Sequence, residues 1–509
     1  MKREVLVILL CACVMYDVNC STGSKTGEGA GKSPKGDYLK IIVLPFDKLN
    51  KERNNELDTL VVGLSDTLSG ALSTVNNFVV IDPDRVKKHL LQNMEFKQAI
   101  GVDETKDIAK LQELTKNKLE GDFIIYGSFN KIGNNINLSA KFLDLSSGIV
   151  NQGANVHGAY PDDIFILQEQ LAKELFNKIS GGSKQQNSIK EFAHSTGNFQ
   201  AYQYYIKGRA EYLKFDVKHY PIAIDYYNKA LKYDPKYALA WAGLAETNSR
   251  WGYAIEQAYG NSAPYYKAAL EQGLKAVEYG DNLYQTHLAL SNAYQNNAYW
   301  DNAERAAEKA YKLNKNDAEV LERMASVKDF DEKNKGTSGT EANKYIMRAI
   351  ELNPESISAR WILASSYEKL KKYDLALQEY KKILSINPDH ASTVYNVSRM
   401  FSVLYGYNHA ESYAIKAIKL NPKNPDYHWF LSSIYFHMNR YQEAIISAEN
   451  AVKLNPRDKG ALYIIAESYF YQSKWDMAYK YYNKVLEIDP KDKKALQWRN
   501  EAYENMKKK

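Results

Sequence analysis

One short motif recurs along the second half of the chain at a fixed interval, and this period limits the folds that the chain can adopt. Each copy is Asn or Asp followed by Pro and preceded by an apolar residue. Proline disfavours helical dihedral angles in the residue before it, so each copy predicts the end of a helix. Copies spaced 34 residues apart are Asn353-Pro354, Asn387-Pro388, Asn421-Pro422, Asn455-Pro456 and Asp489-Pro490. Such a period indicates stacked units that bury a shared core.

Two further positions keep the same period. Twelve residues before the proline stand four alanines: Ala376, Ala410, Ala444 and Ala478. Nine residues before these stand four rings: Tyr367, Phe401, Tyr435 and Tyr469. A small residue at a helix contact lets the neighbouring helix approach closely, because a larger side chain would overpack the contact. The pattern resembles the tetratricopeptide repeat, which implies helix pairs stacked into a superhelix that binds other proteins.

We predict eight tetratricopeptide repeats over residues 201–492, followed by a capping helix over 493–509. We call the Asn-Pro or Asp-Pro motif at the end of each unit the boundary motif, and Asp234-Pro235 is an earlier copy of it. The predicted units are 201–237, 238–283, 284–317, 318–356, 357–390, 391–424, 425–458 and 459–492. The second and fourth units exceed the regular length, and we expect their insertions, around Tyr253–Ser262 and Glu332–Gly339, to form loops.

The resemblance implies that the first helix of each unit lines a concave face. One ring position on this helix recurs in the last four units as Trp361, Tyr395, Trp429 and Tyr463. Further candidates on the same helices are Arg399, Phe436, Phe470 and Tyr471. These residues predict an aromatic groove for an extended or proline-rich segment, because rings supply contact area at low entropic cost. The alternative is that the recurring rings pack inward and partly replace the tryptophan of the family pattern, whose position holds Arg360, Val394, His428 and Leu462.

Residues 38–180 predict an α/β domain of order βαβ(α)βββα, so the fold class is an α/β domain followed by an all-α superhelix. The apolar run Ile41–Phe46 indicates a buried strand, and leucines at helical spacing from Leu57 to Leu72 indicate an amphipathic helix. Pro161 predicts the start of the last helix, with Asp162 and Asp163 in its first turn. A polar linker is predicted over 181–200.

Five segments of this domain carry a second resemblance. They are VLPF at 43–46, GLSD at 63–66, DFIIYGSF at 122–129, FLDLSSG at 142–148 and DIFILQ at 163–168. The domain is similar to the TolB amino-terminal-domain family, which implies a docking and assembly module of the bacterial envelope without catalytic residues. Related domains also precede helical repeats in regulatory proteins with cyclase or winged-helix domains. A cytoplasmic or inner-membrane regulator that lacks the catalytic domain is therefore the alternative function.

The first residues predict a targeting segment over 1–19 and a flexible tether over 20–37. A basic start is followed by the apolar run Val5–Met15, whose eleven residues suit a secretory signal and are too few to span a bilayer. The segment resembles a bacterial lipoprotein signal, which implies lipidation of Cys20 or, alternatively, of Cys13. A third possibility is an ordinary cleaved signal or an uncleaved anchor.

Catalytic, cofactor and nucleic-acid signals are weak in this sequence. Gly31-Lys32-Ser33 resembles the end of a phosphate-binding loop, but the required glycine is replaced by Thr26. The nine histidines are scattered, and the net charge of +6 is spread along the chain. We therefore expect no enzyme, cofactor, metal site, small-molecule substrate or nucleic-acid partner, but an envelope lipoprotein facing the periplasm or cell surface that binds a protein or peptide segment.

Overall fold

The computed structural model describes residues 38–49, 55–73, 75, 78–81, 86, 112–113, 115, 119–180, 196–214, 216–257, 260–335 and 340–508. The predicted signal and tether, with Cys13 and Cys20, lie outside these residues. Most of the predicted linker and most of the segment between residues 82 and 118 also lie outside them. The helix written in brackets in the predicted order βαβ(α)βββα falls in this segment.

The amino-terminal part is built on a mixed sheet. Its described elements are β1 Leu39–Val43, β2 Asp47–Lys48, α1 Asn55–Ser73, β3 Phe78–Val80, β4 Phe123–Ile132, β5 Asn135–Asp144, β6 Val150–Ala159 and α2 Ile164–Ile179. The strand order is β3-β1-β4-β5-β6, and β2 pairs with β4. β1 is parallel to β3 and β4, whereas β4, β5 and β6 form an antiparallel meander. The predicted α/β fold class is confirmed.

Both described helices of this part cover one face of the sheet. Leu64 and Leu68 of α1 and Leu171 and Leu175 of α2 belong to one buried cluster with inward-facing strand residues such as Phe142. The cluster forms because apolar residues three and four apart make one apolar stripe along a helix. Burial of this cluster holds one side of α1 against the sheet, and the opposite side of α1 faces away from the sheet.

Helix α2 begins later than the sequence predicts. Its first residue is Ile164, and Pro161 follows a cis peptide bond in the turn before it. The Asp163 carboxylate accepts a hydrogen bond from the backbone N–H of Ala159 at 2.8 Å, so it closes the turn instead of lying in the first helical turn. The prediction of a helix start at Pro161 was wrong because this side chain serves the preceding strand end.

The remainder of the described chain consists of seventeen helices in tandem. They are α3 Phe199–Tyr212, α4 Tyr220–Tyr233, α5 Ala238–Gln257, α6 Ala263–Tyr279, α7 Tyr284–Asn296, α8 Trp300–Leu313, α9 Ala318–Lys335, α10 Thr340–Leu352, α11 Ile357–Lys369, α12 Tyr373–Ile386, α13 Ala391–Leu404, α14 Tyr407–Leu420, α15 Pro425–His437, α16 Tyr441–Leu454, α17 Lys459–Tyr471, α18 Trp475–Ile488 and α19 Lys493–Lys507. The predicted all-α repeat superhelix is confirmed.

The two insertions are helical over much of their length. Helix α5 has 20 residues and continues to Gln257, and α9 has 18 residues and continues to Lys335. The regular helix α11 has 13 residues. The expectation that both insertions form loops was therefore wrong over these stretches, because the inserted residues extend the first helix of the pair before the chain turns.

The Asn or Asp of the boundary motif has a second role beside the proline. Its side-chain oxygen accepts a hydrogen bond from the backbone N–H two residues later, as in Asn387 to Asp389 at 3.2 Å. This Asx turn explains why the position holds Asn or Asp, since their short side chains reach the backbone. The same bond forms at Asp234, Asn353, Asn455 and Asp489. It also forms at Asn314, which is followed by Lys315 instead of proline.

The periodic alanines lie at helix contacts as the sequence predicts. Ala376, Ala410, Ala444 and Ala478 all have 0% exposure. Each sits near the start of the second helix of a pair, where a longer side chain would meet the neighbouring helix. The small side chain therefore sets the distance between helices in these repeats.

Replacing one of these alanines by leucine tests that conclusion. Ala444→Leu is expected to lower the free energy of unfolding by about 1–3 kcal/mol, because the added carbons overpack a fully buried contact. Gln442→Leu is the matched control, since Gln442 is exposed on the same helix. Urea unfolding followed by circular dichroism measures both variants, and equal stabilities would contradict the role of the alanine.

Candidate functional site

The concave face of the array is formed by the first helix of each pair. First helices of neighbouring pairs contact one another, as α5 does with α7 and α15 with α17. Such contacts place them on the inside of the curve. We call these helices (α3, α5, α7, α9, α11, α13, α15 and α17) the inner helices, and the second helices of the pairs the outer helices.

The recurring ring position lies at the seams between neighbouring pairs. The Trp361 ring is 5.4 Å from the ring of Tyr380 on the outer helix of its own pair. It is 5.9 Å from the ring of His390, which precedes the next inner helix. Tyr395 stacks on Tyr427 of the next inner helix, with ring centroids 5.0 Å apart. Trp361 and Tyr395 are half-buried, and their rings join one pair of helices to the next.

The last two members of the series also contact the following unit. A Cβ atom on Gly460 would lie 2.6 Å from Trp429 Nε1, so only glycine leaves room for this indole against α17. The Tyr463 hydroxyl donates to Asp492 Oδ1 at 2.5 Å, and Asp492 caps α19. The four predicted groove rings therefore all contribute to stacking, and each keeps part of its surface exposed.

A continuous row of rings runs along the edge where inner helices turn into outer helices. Tyr441 and Tyr471 are stacked, with centroids 5.6 Å apart and ring planes at 9°. Phe436 lies 5.8 Å from Tyr471, and Phe470 lies 4.8 Å from Trp475. Tyr471 retains 57% of its surface. We call these five residues the aromatic row, and it brings together the predicted site residues Phe436, Phe470 and Tyr471.

Two members of the aromatic row were not predicted from the sequence. Tyr441 and Trp475 are the first residues of their outer helices. The signal was present, because rings recur every 34 residues at this helix start: Tyr373, Tyr407, Tyr441 and Trp475.

Two charged side chains of the inner helices from α11 to α17 are paired with neighbours. Arg399, a predicted site residue, forms an ion pair with Glu368 at 3.2 Å and lies 5.9 Å above the ring of Tyr395. Glu467 pairs with Lys494 of α19 at 2.7 Å. These two groups already have counterions of their own.

The position of the family tryptophan holds a hydrogen-bond donor in three units. The side chain reaches back to the carbonyl of the boundary proline six residues earlier. Donor and carbonyl are 2.8–3.0 Å apart in the pairs Trp241–Pro235, Arg360–Pro354 and His428–Pro422. Arg360 and His428 thus make the bond that Trp241 makes, whereas Val394 and Leu462 have no side-chain donor at this position.

The amino-terminal part contacts the first inner helix through α1. The hydroxyls of Thr67 and Tyr202 are hydrogen-bonded at 2.9 Å, and Asp66 Oδ2 lies 3.6 Å from Arg209 Nε. Phe165 of α2 packs edge-on against Tyr202, with centroids 5.4 Å apart. Residues more than 130 positions apart thus form one buried contact.

The same part also reaches the fourth pair of helices. Asn314, in the turn before α9, donates to Ser73 Oγ at 3.4 Å. Arg348 of α10 lies 4.3 Å from the centre of the Tyr38 ring. Val79 of β3 is 2% exposed and belongs to an apolar cluster with side chains of α9 and α10. The α/β part is therefore attached to both ends of the curve made by the first four pairs.

A cluster of charged groups lies inside that curve. Its members are Asp66, Arg209, Glu246, Arg250, Asp317, Glu319, Glu322 and Arg323, which interact electrostatically. Many protein atoms lie near Arg209, but 40% of its side-chain surface is exposed. The cluster is therefore open to solvent on this side. Arg250 Nε donates to the Tyr212 hydroxyl at 2.6 Å.

Crowding of carboxylates in this cluster makes some of them hard to ionise. Desolvation, and next the neighbouring Glu319 carboxylate, raise the pKa of Glu246 to about 7 in spite of Arg209 and Arg250. Desolvation likewise raises the pKa of Glu322 to about 7. The pKa of Asp317 rises to about 6 for the same reason, with Glu319 as the second cause. All three carboxyl groups therefore bind a proton at a higher pH than an ordinary carboxyl group does.

The raised pKa values predict a pH dependence of stability. A glutamate in the unfolded chain titrates near 4.3, so ionisation of Glu246 disfavours the folded state as pH rises from about 4.3 to about 7. Glu246→Gln imitates the protonated form. At pH 8 its melting temperature is expected to exceed that of the unaltered chain by about 2 °C or more. The difference should disappear below about pH 5; a variant that is less stable at pH 8 would show that the arginines dominate.

Two classes of feature are absent from the part of the chain that the structure describes. No group of three or more His, Cys, Asp or Glu side chains there is arranged to hold a metal ion. None of the helices described there combines the length and apolar character that a membrane crossing requires.

Two family matches fall within the repeat array. Residues 357–390 match the family described as tetratricopeptide repeat. Residues 404–485 match the family described as anaphase-promoting complex, cyclosome, subunit 3. The array therefore contains tetratricopeptide repeats, as predicted. Repeats of this type suggest protein–protein interaction or scaffolding, and proteins built from them are generally non-catalytic.

Several solved structures resemble parts of the chain. PilF of Pseudomonas aeruginosa is similar at 14% identity over 43% of this chain and 98% of that chain, with a TM-score of 0.39. MamA is similar at 22% identity over 32% and 95%, with a TM-score of 0.30. The Cut9–Hcn1 heterotetramer of APC/C is similar at 15% identity over 67% and 64%, with a TM-score of 0.44. No curated protein matches the chain.

Proposed function

We propose that this chain is a scaffold that binds an extended segment of another protein on the concave face of its repeats, without covalent chemistry. The aromatic row carries the proposal, because it places five rings side by side at the rim of this face and leaves Tyr471 57% exposed. Exposed rings give contact area at low entropic cost, which suits the capture of a segment with no fixed structure.

The chemistry of the face favours an uncharged segment in extended or polyproline conformation. Arg399 is committed to Glu368, and Glu467 to Lys494, so a charged partner would gain no free counterion from these groups. Aromatic-lined grooves bind proline-rich segments well, because that conformation is already formed before binding. Trp361, Tyr395, Trp429 and Tyr463 support the face by holding successive inner helices together.

The proposal also places the protein in the bacterial envelope, attached by a lipid. The apolar run Val5–Met15, followed by Cys20 and a polar stretch, supports export and acylation. The resemblance of residues 38–180 to the TolB amino-terminal-domain family supports an assembly role in the same compartment. In this arrangement the lipid fixes the chain to a membrane and the repeats recruit a protein beside it.

A photoreactive benzoylphenylalanine tests the binding face. Placed at Ser433 on an inner helix, it is expected to give a covalent adduct with one distinct protein in producing cells. Placed at Lys453, exposed on an outer helix, it is expected to give none. Adding Tyr471→Ala should reduce the Ser433 adduct about tenfold, since one interfacial ring contributes about 1–2 kcal/mol.

Unfolding of the Tyr471→Ala variant would not explain a loss of adduct. Tyr471 is largely exposed but stacks on Tyr441, so its replacement should lower the melting temperature by only a few degrees and leave the chain folded. Equal adduct yields from the inner and outer positions would contradict binding on the concave face, and so would a yield that ignores Tyr471→Ala.

Metabolic labelling with a radioactive fatty acid tests the anchor. The unaltered chain is expected to carry label and Cys20→Ala to lose it, because the thiol is the acylated group. Cys13→Ala is the matched control and should keep the label. A chain without label in any form would refute the lipoprotein proposal, whereas label lost only in Cys13→Ala would move the site.

A further inference from the structure

We infer that the α/β part of the chain is a built-in occupant of the concave face formed by α3, α5, α7 and α9, and that it closes this half to other proteins. The half formed by α11, α13, α15 and α17 is then where an external segment docks. This inference rests on the proposed function, because it divides the same binding face into a closed and an open half.

Helix α1 spans the opening of the closed half. Thr67 contacts Tyr202 of the first pair, and Ser73 contacts Asn314 at the start of the fourth. Six residues of helix separate these two contacts, a distance of about 9 Å at the usual helical rise. Helix α1 therefore lies across the gap between the first and the fourth pair.

The contact between α1 and α3 is a close fit that depends on one glycine. A Cβ atom on Gly63 would lie 2.6 Å from the Tyr202 hydroxyl oxygen, and Tyr202 is only 3% exposed. The hydroxyl cannot retreat without losing its bond to Thr67. A larger residue at position 63 therefore separates α1 from α3 while leaving α1 itself intact, because glycine is the poorer helix former.

The open half presents apolar surface near the ends of its inner helices. Tyr471 and Val403 each keep 57% of their surface, and Tyr405, next to the end of α13, is 53% exposed. Where the α/β part packs on the array, Val79 is 2% exposed in an apolar cluster with side chains of α9 and α10. Tyr253 of α5 is 58% exposed, so the cover does not reach the end of that helix. The α/β part thus buries apolar surface at α9 and α10, and the open half keeps its apolar surface for a partner.

One photoreactive position tests the occupancy without any partner. Benzoylphenylalanine at Arg209, which faces Asp66, is expected to crosslink within the chain to the peptide 55–73. Gly63→Leu should reduce this internal crosslink about tenfold, because the added side chain forces the two helices apart. Gly197→Leu is the matched control, since a Cβ atom there meets nothing within 4 Å. Melting followed by circular dichroism checks that both variants fold.

The same probe then tests the division of the face. In the unaltered background, Arg209 should give no adduct with another protein while Ser433 does. In the Gly63→Leu background, an intermolecular adduct at Arg209 is expected to appear. The inference would be overturned if the probe at Arg209 gave an intermolecular adduct in the chain that keeps Gly63. An internal crosslink of unchanged yield in the Gly63→Leu variant would also overturn it. If Ser433 gives no adduct in any background but the internal crosslink forms, the proposed function fails and the internal occupancy stands.

Discussion

Close contact between helices at fully buried alanines is the constraint on which the repeat array depends. A methyl group at Ala376, Ala410, Ala444 and Ala478 sets how near the paired helices come, and this spacing repeats with the sequence period. The rings at the seams then have a fixed gap to fill, as Trp429 does against Gly460. The curvature of the concave face follows from repeating one small rotation per pair.

Rings at one periodic position hold neighbouring units together. Tyr395 stacks on Tyr427, and Tyr463 bonds to the cap of α19, so both are committed to the next unit. The aromatic row lies at the helix ends, where stacking requires less and Tyr471 keeps its surface. The contacts of Tyr395 and Tyr463 agree with the inward-packing alternative. The aromatic groove for an extended segment stays a prediction.

The sequence predicts what is local and misses what joins distant residues. The period, the boundary prolines and the leucines of α1 are visible as patterns, because helix contacts repeat at fixed spacing. The bond between Thr67 and Tyr202 links positions with no periodic relation, so no pattern reveals it. The predicted start of α2 was wrong for a similar reason. The Asp163 side chain accepts a hydrogen bond from Ala159 at the end of β6, and it does not lie in the first turn of its own helix.

The two-ended attachment of the α/β part has a mechanical consequence. A helical-repeat array deforms like a spring, because each pair touches only its neighbours and small rotations add along its length. Between Tyr202 and Asn314 this spring is bridged by α1, which acts as a strut and resists both stretching and tightening of the coil. The pairs after α10 carry no such strut among the contacts described. Among the described residues, the first four pairs are therefore held more stiffly than the later ones, and a segment bound as proposed would change the pitch of the second half without straining the first.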